Sequence, residues 1–437
     1  MSWNGENKLN NVVELREWLE ENNTFFGKVE CRLVEGAYRG IFATENILED
    51  EILVSIPKDL LMGTINAFKN DPEFREVCEA RGAELSDDNL LAIHLLHECN
   101  KGKTSKWFRY LRTLPRSYCT AASLSDEDIL ELQASYAIRL IFQEKEKALS
   151  SYNKVRHMLE ILGVSKMWRT RRAWSWAVSC VSSRSMFYPG EGKEKDGPGY
   201  SILFPFGDLH NYFPPPPPIT LNLLGPSNSH QITGEQICGF GGYSSDTECY
   251  DLVAKQQYVS DEQVFLCYGR YNNLDLLKIY GFILDKNPHD IALIPIESFT
   301  PALQLGQSDA YIMHDGNPSF QLMRALRLAS LEKKEDRKNY SYKILQDEAV
   351  NANSERAALH ILQSALDRTL ATMPTSLEKD LSILAAMLKI DEHQPECPDD
   401  ANLRRSIAIE WRIQYKKSLM KCLCLIEKYK LMMVHDG

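Results

Sequence analysis

The stretch Val259–Phe282, VSDEQVFLCYGRYNNLDLLKIYGF, constrains the fold more than any other part of the chain. Val264, Leu266 and Tyr268 alternate with Phe265 and Cys267, the two-residue period of a strand. Gly269 breaks that strand, and the pair Asn272 and Asn273 suits a helix N-cap. Leu274, Leu277 and Ile279 then mark a short helical stripe, and Tyr280-Gly281-Phe282 reads as a return to strand. A strand, a tight turn, a short helix and an aromatic exit can bring Tyr268 and Tyr280 into one pocket. Taken alone, two such tyrosines are ordinary core aromatics.

A length of 437 residues allows two or three domains and ample core, and 44% hydrophobic with 25% charged residues is the balance of a soluble globular protein. The net charge of −10 argues against direct nucleic-acid binding, which needs a basic face to displace phosphate counterions. No run approaches the roughly 18–20 apolar residues of a membrane span, so no membrane partner is expected. The opening MSWNGENKLNNVVELREWLEE has neither a signal-peptide core nor the character of an organelle transit peptide, which points to the cytoplasm or nucleus. The eleven cysteines are scattered without a Cys-x-x-Cys, and the close pair Cys422 and Cys424 lacks further ligands nearby. Neither a disulfide framework nor a metal site is expected.

Along the chain, Leu9–Glu21 has the spacing of an amphipathic helix, and strand patterns follow at residues 29–34, 36–43 and 51–57. Glycines bracket the second strand, but no GxGxxG opens a helix after it, so a dinucleotide site is not supported. From Leu61 to about Arg172 the pattern is helical, with starts at Ser86 and Ser125. His94 and His97 share that region with no carboxylate at an evident spacing and read as surface or core residues. The apolar run RAWSWAVSCVSSRSMF ends in Ser182-Ser183-Arg184, where an arginine serves equally as an ion-pair partner or a carbonyl cap. LFPFGDLHNY supplies Pro205, Asp208 and Asn211, and Pro214–Pro218 make a stiff loop, with SH3-type docking as its other reading. After Ser298 the reading is helical again, with Thr375-Ser376-Leu377-Glu378 as a capping box. The last helix, Ala401–Met433, carries Arg404, Arg405, Arg412, Lys416, Lys417 and Lys421 as candidates for a solvated face or for docking an acidic protein surface.

These blocks taken together, GxxRGIFA, LLAIHLLHE…WFRYLRTLP, SRSMF, PxxDxxN and YG…NN…YGF, resemble SET-domain protein methyltransferases of the Rubisco large-subunit lysine methyltransferase-like class. The resemblance includes plant SET-domain-group members, with Asn211-Tyr212 where most relatives have Asn-His. It implies an α+β fold: a SET-domain β core with a pseudoknot at residues 1–60 and 173–297, a helical insertion at 61–172, and an all-helical C-terminal substrate-binding domain at 298–437. It also implies S-adenosyl-L-methionine as cofactor, a protein lysine (or histidine) as acceptor, and a monomer working without a metal. Tyr268 would be catalytic. Tyr38, Arg39, Gly40, Ser183, Arg184, Asp208, Asn211, Tyr212 and Tyr280 would hold the cofactor, and Tyr280 with Phe282 would wall the substrate channel. Tyr212 and the proline-rich loop motivate the competing reading, a catalytically weak SET-like adaptor that binds partners through its C-terminal helices.

Overall fold

The computed structural model describes residues 5–34, 39–189, 199–215, 240–295, 305–331, 333–392 and 400–435. Its strands are short and form small antiparallel sheets. One has the strand order Phe25–Phe26, Ile52–Pro57, Cys249–Val253, Phe240–Ser244. A second sets Gly40–Ala43 between Gln263–Val264 and Val29–Arg32, and a third sets Tyr200–Leu203 between Met62–Gly63 and Ser185–Tyr188. Sheets this small cannot stand alone. Ile41, Val54, Ile56, Ile202 and Leu203 are fully buried in one core with the helices Asp87–Lys101 and Arg171–Arg184.

The strand pattern from Val264 to Tyr268 is only partly realised. Gln263 and Val264 pair with Phe42 and Ile41; beyond them the chain takes a parallel partner from an earlier segment. The Leu266 N–H donates to Asn211 O at 2.9 Å, and the Phe213 N–H to Leu266 O at 3.1 Å. Asn211–Phe213 is thereby laid beside the Tyr268 block.

Tyr280-Gly281-Phe282 is not a strand. The helix Asn273–Tyr280 starts on Asn272, whose side chain accepts the Asp275 N–H at 2.9 Å, and stops on Gly281 at φ 78°. Gly281 donates to Leu276 O at 2.9 Å, a left-handed C-cap. A Cβ there would also come within 3.1 Å of the backbone of Cys119 and Thr120, so glycine is required twice over.

The last helix, Asp400–His435, departs further from the sequence reading. Arg412 and Lys416 are 1% and 2% exposed, not solvated. Arg412 Nη2 and Lys416 Nζ meet the buried Asp380 carboxylate at 2.8 and 2.5 Å, and Arg412 Nη1 reaches Glu131 Oε2 at 2.6 Å. Arg404 pairs with Asp128 at 3.0 Å and Arg405 with Glu131 at 2.8 Å. The basic residues face acids on two distant helical segments, which helical spacing cannot reveal. The Leu377–Glu392 helix is also capped one residue later than the motif suggests. Ser376 Oγ accepts the Lys379 N–H at 3.2 Å, while the Thr375 hydroxyl donates to Asp380 at 2.6 Å. Leu124, Ile129 and Ala137 of the insertion, Leu277 and Ile294 beyond the Tyr268 block, and Leu362, Leu366, Trp411 and Leu419 form one continuous core. The C-terminal helices thus share their interior with the rest of the chain.

His94 and His97 are buried, and carboxylates do reach them, one from far away in sequence. Asp71 Oδ2 lies 3.1 Å from His97 Nε2, and Glu98 Oε1 lies 3.7 Å from His94 Nε2. The Lys101 ammonium closes the group, 2.8 Å from Asp71 and 2.6 Å from Glu98. Burial opposes ionisation of both acids, but Lys101 with the Phe74 N–H and His97 holds Asp71 down at about 2. Burial is likewise outweighed at Glu98 by His94, Lys101 and Ser105, which hold it at about 2. A depressed carboxylate pKa stabilises the fold fully above the unfolded value near ~4, and that stability is lost as pH falls through the folded value. Lys101→Met should therefore cost on the order of 2 kcal/mol at neutral pH and flatten the loss of stability between about pH 4 and 2. Urea denaturation across that range checks it; an unchanged acid limb would contradict it.

Candidate active site

The Arg171–Arg184 helix begins on Thr170, whose hydroxyl accepts the Ala173 N–H at 3.1 Å, and delivers Arg184 at its last position. Arg184 Nη1 donates to both the side chain and the backbone carbonyl of Asp208, at 3.1 and 3.0 Å. Arg184 Nε contacts the Tyr118 hydroxyl at 3.2 Å, and the Tyr110 hydroxyl donates to Asp208 Oδ2 at 3.0 Å. Burial works against the charge on Arg184, but Tyr118 and Asp208 outweigh it and raise its pKa well above the usual value. The other Asp208 oxygen, Oδ1, is buried without a partner. Asp208 follows a turn in which Phe206 sits at φ 70°, a conformation that costs a non-glycine residue of order 1–3 kcal/mol.

Asn211 ties this segment to the first strands. Its Nδ2 donates to Arg39 O at 3.0 Å. A Cβ on Gly40 would fall 2.9 Å from that amide and 2.4 Å from Gln263 Nε2, so a larger residue would push these two side-chain amides from their present places. Arg39 itself reaches Thr113 O at 2.6 Å, and burial, then the nearby Arg184 charge, lowers its pKa. Gln263 Nε2 and His210 Nε2 are buried and unpartnered, like Asp208 Oδ1. Burial lowers His210 to about 4, and its other ring nitrogen bonds Gly207 O at 2.9 Å, so the imidazole is neutral.

Beside this polar group stands an aromatic box. Tyr268 lies 5.1 Å from Tyr212 and 5.0 Å from Tyr280, ring centre to ring centre. Tyr280 packs edge-on to Tyr271 at 5.5 Å, and Phe282 lies 6.1 Å from both Tyr280 and Tyr212. The Tyr268 hydroxyl donates to His210 O at 2.6 Å, and burial pushes its pKa up to about 12. Burial raises Tyr212 and Tyr280 as well. All three phenols are neutral at physiological pH, so none serves as a phenolate base.

The structure thus brings together Arg39, Gly40, Arg184, Asp208, Asn211, Tyr212, Tyr268, Tyr280 and Phe282. Ser183 turns its hydroxyl back to Ser179 O at 2.7 Å, on its own helix. Ser182, its neighbour, reaches Ile279 O at 3.3 Å. Tyr38 lies outside the described residues, as do Pro216–Pro218; Pro215 O receives His289 Nε2 at 2.7 Å. Sequence reasoning missed Tyr110, Tyr118, Tyr271 and Gln263. Tyr110 sits inside the WFRYLRTLP block and Tyr271 inside YGRYNN, so both were in view without a signal for their partners.

Tyr212 carries a specific expectation. It is 6% exposed, and its hydroxyl donates to Gly269 O at 2.7 Å, so the tyrosine is built into the box and not merely tolerated there. Tyr212→His should shift S-adenosylmethionine affinity by no more than about tenfold, roughly 1.4 kcal/mol. Asn211→Ala should weaken it more, because it removes the amide that bonds Arg39 O. Calorimetric titration of both variants decides the order.

The fold and this site resemble those of SET-domain proteins. Residues 298–419 match the family described as Rubisco LSMT substrate-binding. The chain is 26% identical to Protein SET DOMAIN GROUP 40 of Arabidopsis thaliana, with 88% of this chain and 86% of that protein covered. It is 24% identical to the actin-histidine N-methyltransferase of Homo sapiens, with 93% and 67% covered. The crystal structure of the SET domain of LSMT bound to lysine and AdoHcy superimposes with a TM-score of 0.63 at 18% identity, over 97% of this chain and 92% of that one. The chain has the fold of the Rubisco LSMT structure over 97% of its length and is similar to SET-domain proteins along most of it.

Proposed function

We propose that this protein transfers a methyl group from S-adenosylmethionine to a lysine side-chain nitrogen of a protein substrate. The observation that carries the reading is the junction of two environments: the Arg184–Asp208 and Asn211–Arg39 polar group, and the Tyr268–Tyr280–Tyr212–Phe282 box directly beside it. The polar group fits the cofactor's amino-acid end. It offers the Arg39 and Arg184 guanidiniums for a carboxylate, the partnerless Asp208 Oδ1 for an ammonium, and the unpartnered Gln263 and His210 nitrogens for hydrogen bonds. When bound, S-adenosylmethionine supplies an electrophilic methyl on a sulfonium.

The chain's own residues then have defined work. Tyr268 has spent its proton on His210 O, so its oxygen is left as an acceptor. It can receive an N–H from the acceptor nitrogen and so aim that nitrogen's lone pair along the line of displacement. The aromatic walls exclude water and disfavour a protonated, unreactive amine on entry. Their faces tolerate the cationic product. The named relatives include methyltransferases of a histidine, so imidazole is the alternative acceptor. Tyr212 packs on Tyr268 and bonds Gly269 O, which supports an intact site over the adaptor reading.

Incubating the protein and tritiated S-adenosylmethionine with a whole-cell extract tests the proposal. Label should enter a protein band, and mass spectrometry should place it on a lysine. Label on histidine would redirect the acceptor assignment; no labelled protein from any extract would refute transfer.

A further inference from the structure

Against the Ser185–Tyr188 and Tyr200–Leu203 strands lies a cleft of about 370 Å³, bounded by the helix Thr64–Asn70 and the start of Pro72–Arg81. Tyr188, on its floor, is four residues past Arg184 along an extended strand, roughly 13 Å away. The cleft is therefore separate from the methyl-transfer site. Its volume is that of a small-ligand pocket.

Its chemistry is two-sided. Ile65 and Phe68, half-exposed on the Thr64–Asn70 helix, offer it apolar surface, and Ile202 lies fully buried just beneath. Lys58, Lys69 and Arg75 line it against a single acidic side chain, Asp59. Lys58 is paired with Glu248 at 2.7 Å, and Lys69 stands 3.4 Å from Asp59. Lys106 also lies alongside, its ammonium on Asp59 O at 2.7 Å. Arg75 is exposed and has no ion-pair partner among the described residues. In a chain with 60 acidic and 50 basic residues, the three lining cations and the neighbouring Lys106, set against Asp59 and Glu248, leave a local positive excess against the global sign. A carboxylate or phosphate head would be attracted to Arg75 and Lys69, while its body displaces water from Ile65 and Phe68.

We propose that this cleft is a second binding site, for a small anionic amphiphile: a carboxylate or phosphate head on a short aliphatic or aromatic body. Octyl phosphate is the probe, added to the full-length protein carrying ¹³C-methyl isoleucine. The Ile65 and Ile202 methyl signals, assigned by Ile65→Val and Ile202→Val, should shift saturably. Inorganic phosphate and octyl glucoside should each bind at least about tenfold more weakly, because each supplies half of the recognition. Lys69→Glu with Arg75→Glu should weaken octyl phosphate about tenfold or more, and Arg75→Gln by a smaller factor, with the remaining isoleucine signals unmoved. Three results would overturn the proposal: unmoved Ile65 and Ile202 methyls at millimolar probe, equal binding of octyl glucoside, or equal binding by the charge-reversed variant.

Discussion

Tyr268→Phe should slow methyl transfer by about 10²-fold or more while leaving S-adenosylmethionine affinity within about twofold, the signature of a group acting on the transition state. The ring's packing against Tyr212 and Tyr280 survives the change; the bond to His210 O and the phenolic acceptor do not. Because burial holds the phenol neutral up to about pH 12, the loss should be nearly independent of pH between 6 and 9. Single-turnover rates and calorimetric Kd values on the same preparations separate the two effects. A variant that turns over at the wild-type rate would remove Tyr268 from the chemistry.

Asp380→Ala carries the largest expected cost in stability, about 3–5 kcal/mol. Asp380 is fully buried, and its two oxygens take the charge of Arg412 and Lys416. Removing it leaves the buried Lys416, whose pKa burial already lowers, with only the uncharged Thr375 oxygens, and Arg412 with Glu131 alone. Urea denaturation should show the drop in midpoint; a change below about 1 kcal/mol would mean that water reaches the pair. The same packing bears on truncation. Deleting residues 301–437 would remove Leu362, Leu366, Trp411 and Leu419 from a core they share with Ile129, Ala137 and Leu277. The remainder should aggregate and not persist as an independent cofactor-binding unit.

What the sequence made legible was local. Asn272 as an N-cap, the Ser125-to-Asp128 capping box and the strand at Ile52–Pro57 all follow from residue types within a few positions. Arg184, Asp208 and Asn211 stood out only through motif resemblance, since Arg184 meets Asp208 and Asn211 meets Arg39 by long-range pairing. Hidden from a linear reading were contacts whose partners lie far apart. Asp71 meets Lys101, Arg412 meets Glu131, and Tyr110 meets Asp208, at sequence separations of 30, 281 and 98. Gly281 misled for a different reason. An aromatic-Gly-aromatic triplet fits an edge strand, but the tight approach of Cys119 and Thr120 selects the left-handed helix stop.

The most direct test of the central claim is calorimetric titration of S-adenosylmethionine into the full-length wild-type protein. Arg184, Asp208, Asn211 and Arg39 are assembled around partnerless buried polar atoms, and Tyr212 closes the aromatic box. One cofactor should bind per chain, and Asn211→Ala should weaken binding by about tenfold or more. Absence of binding by the wild type, with binding restored in Tyr212→His, would contradict the account and leave a decayed site in its place.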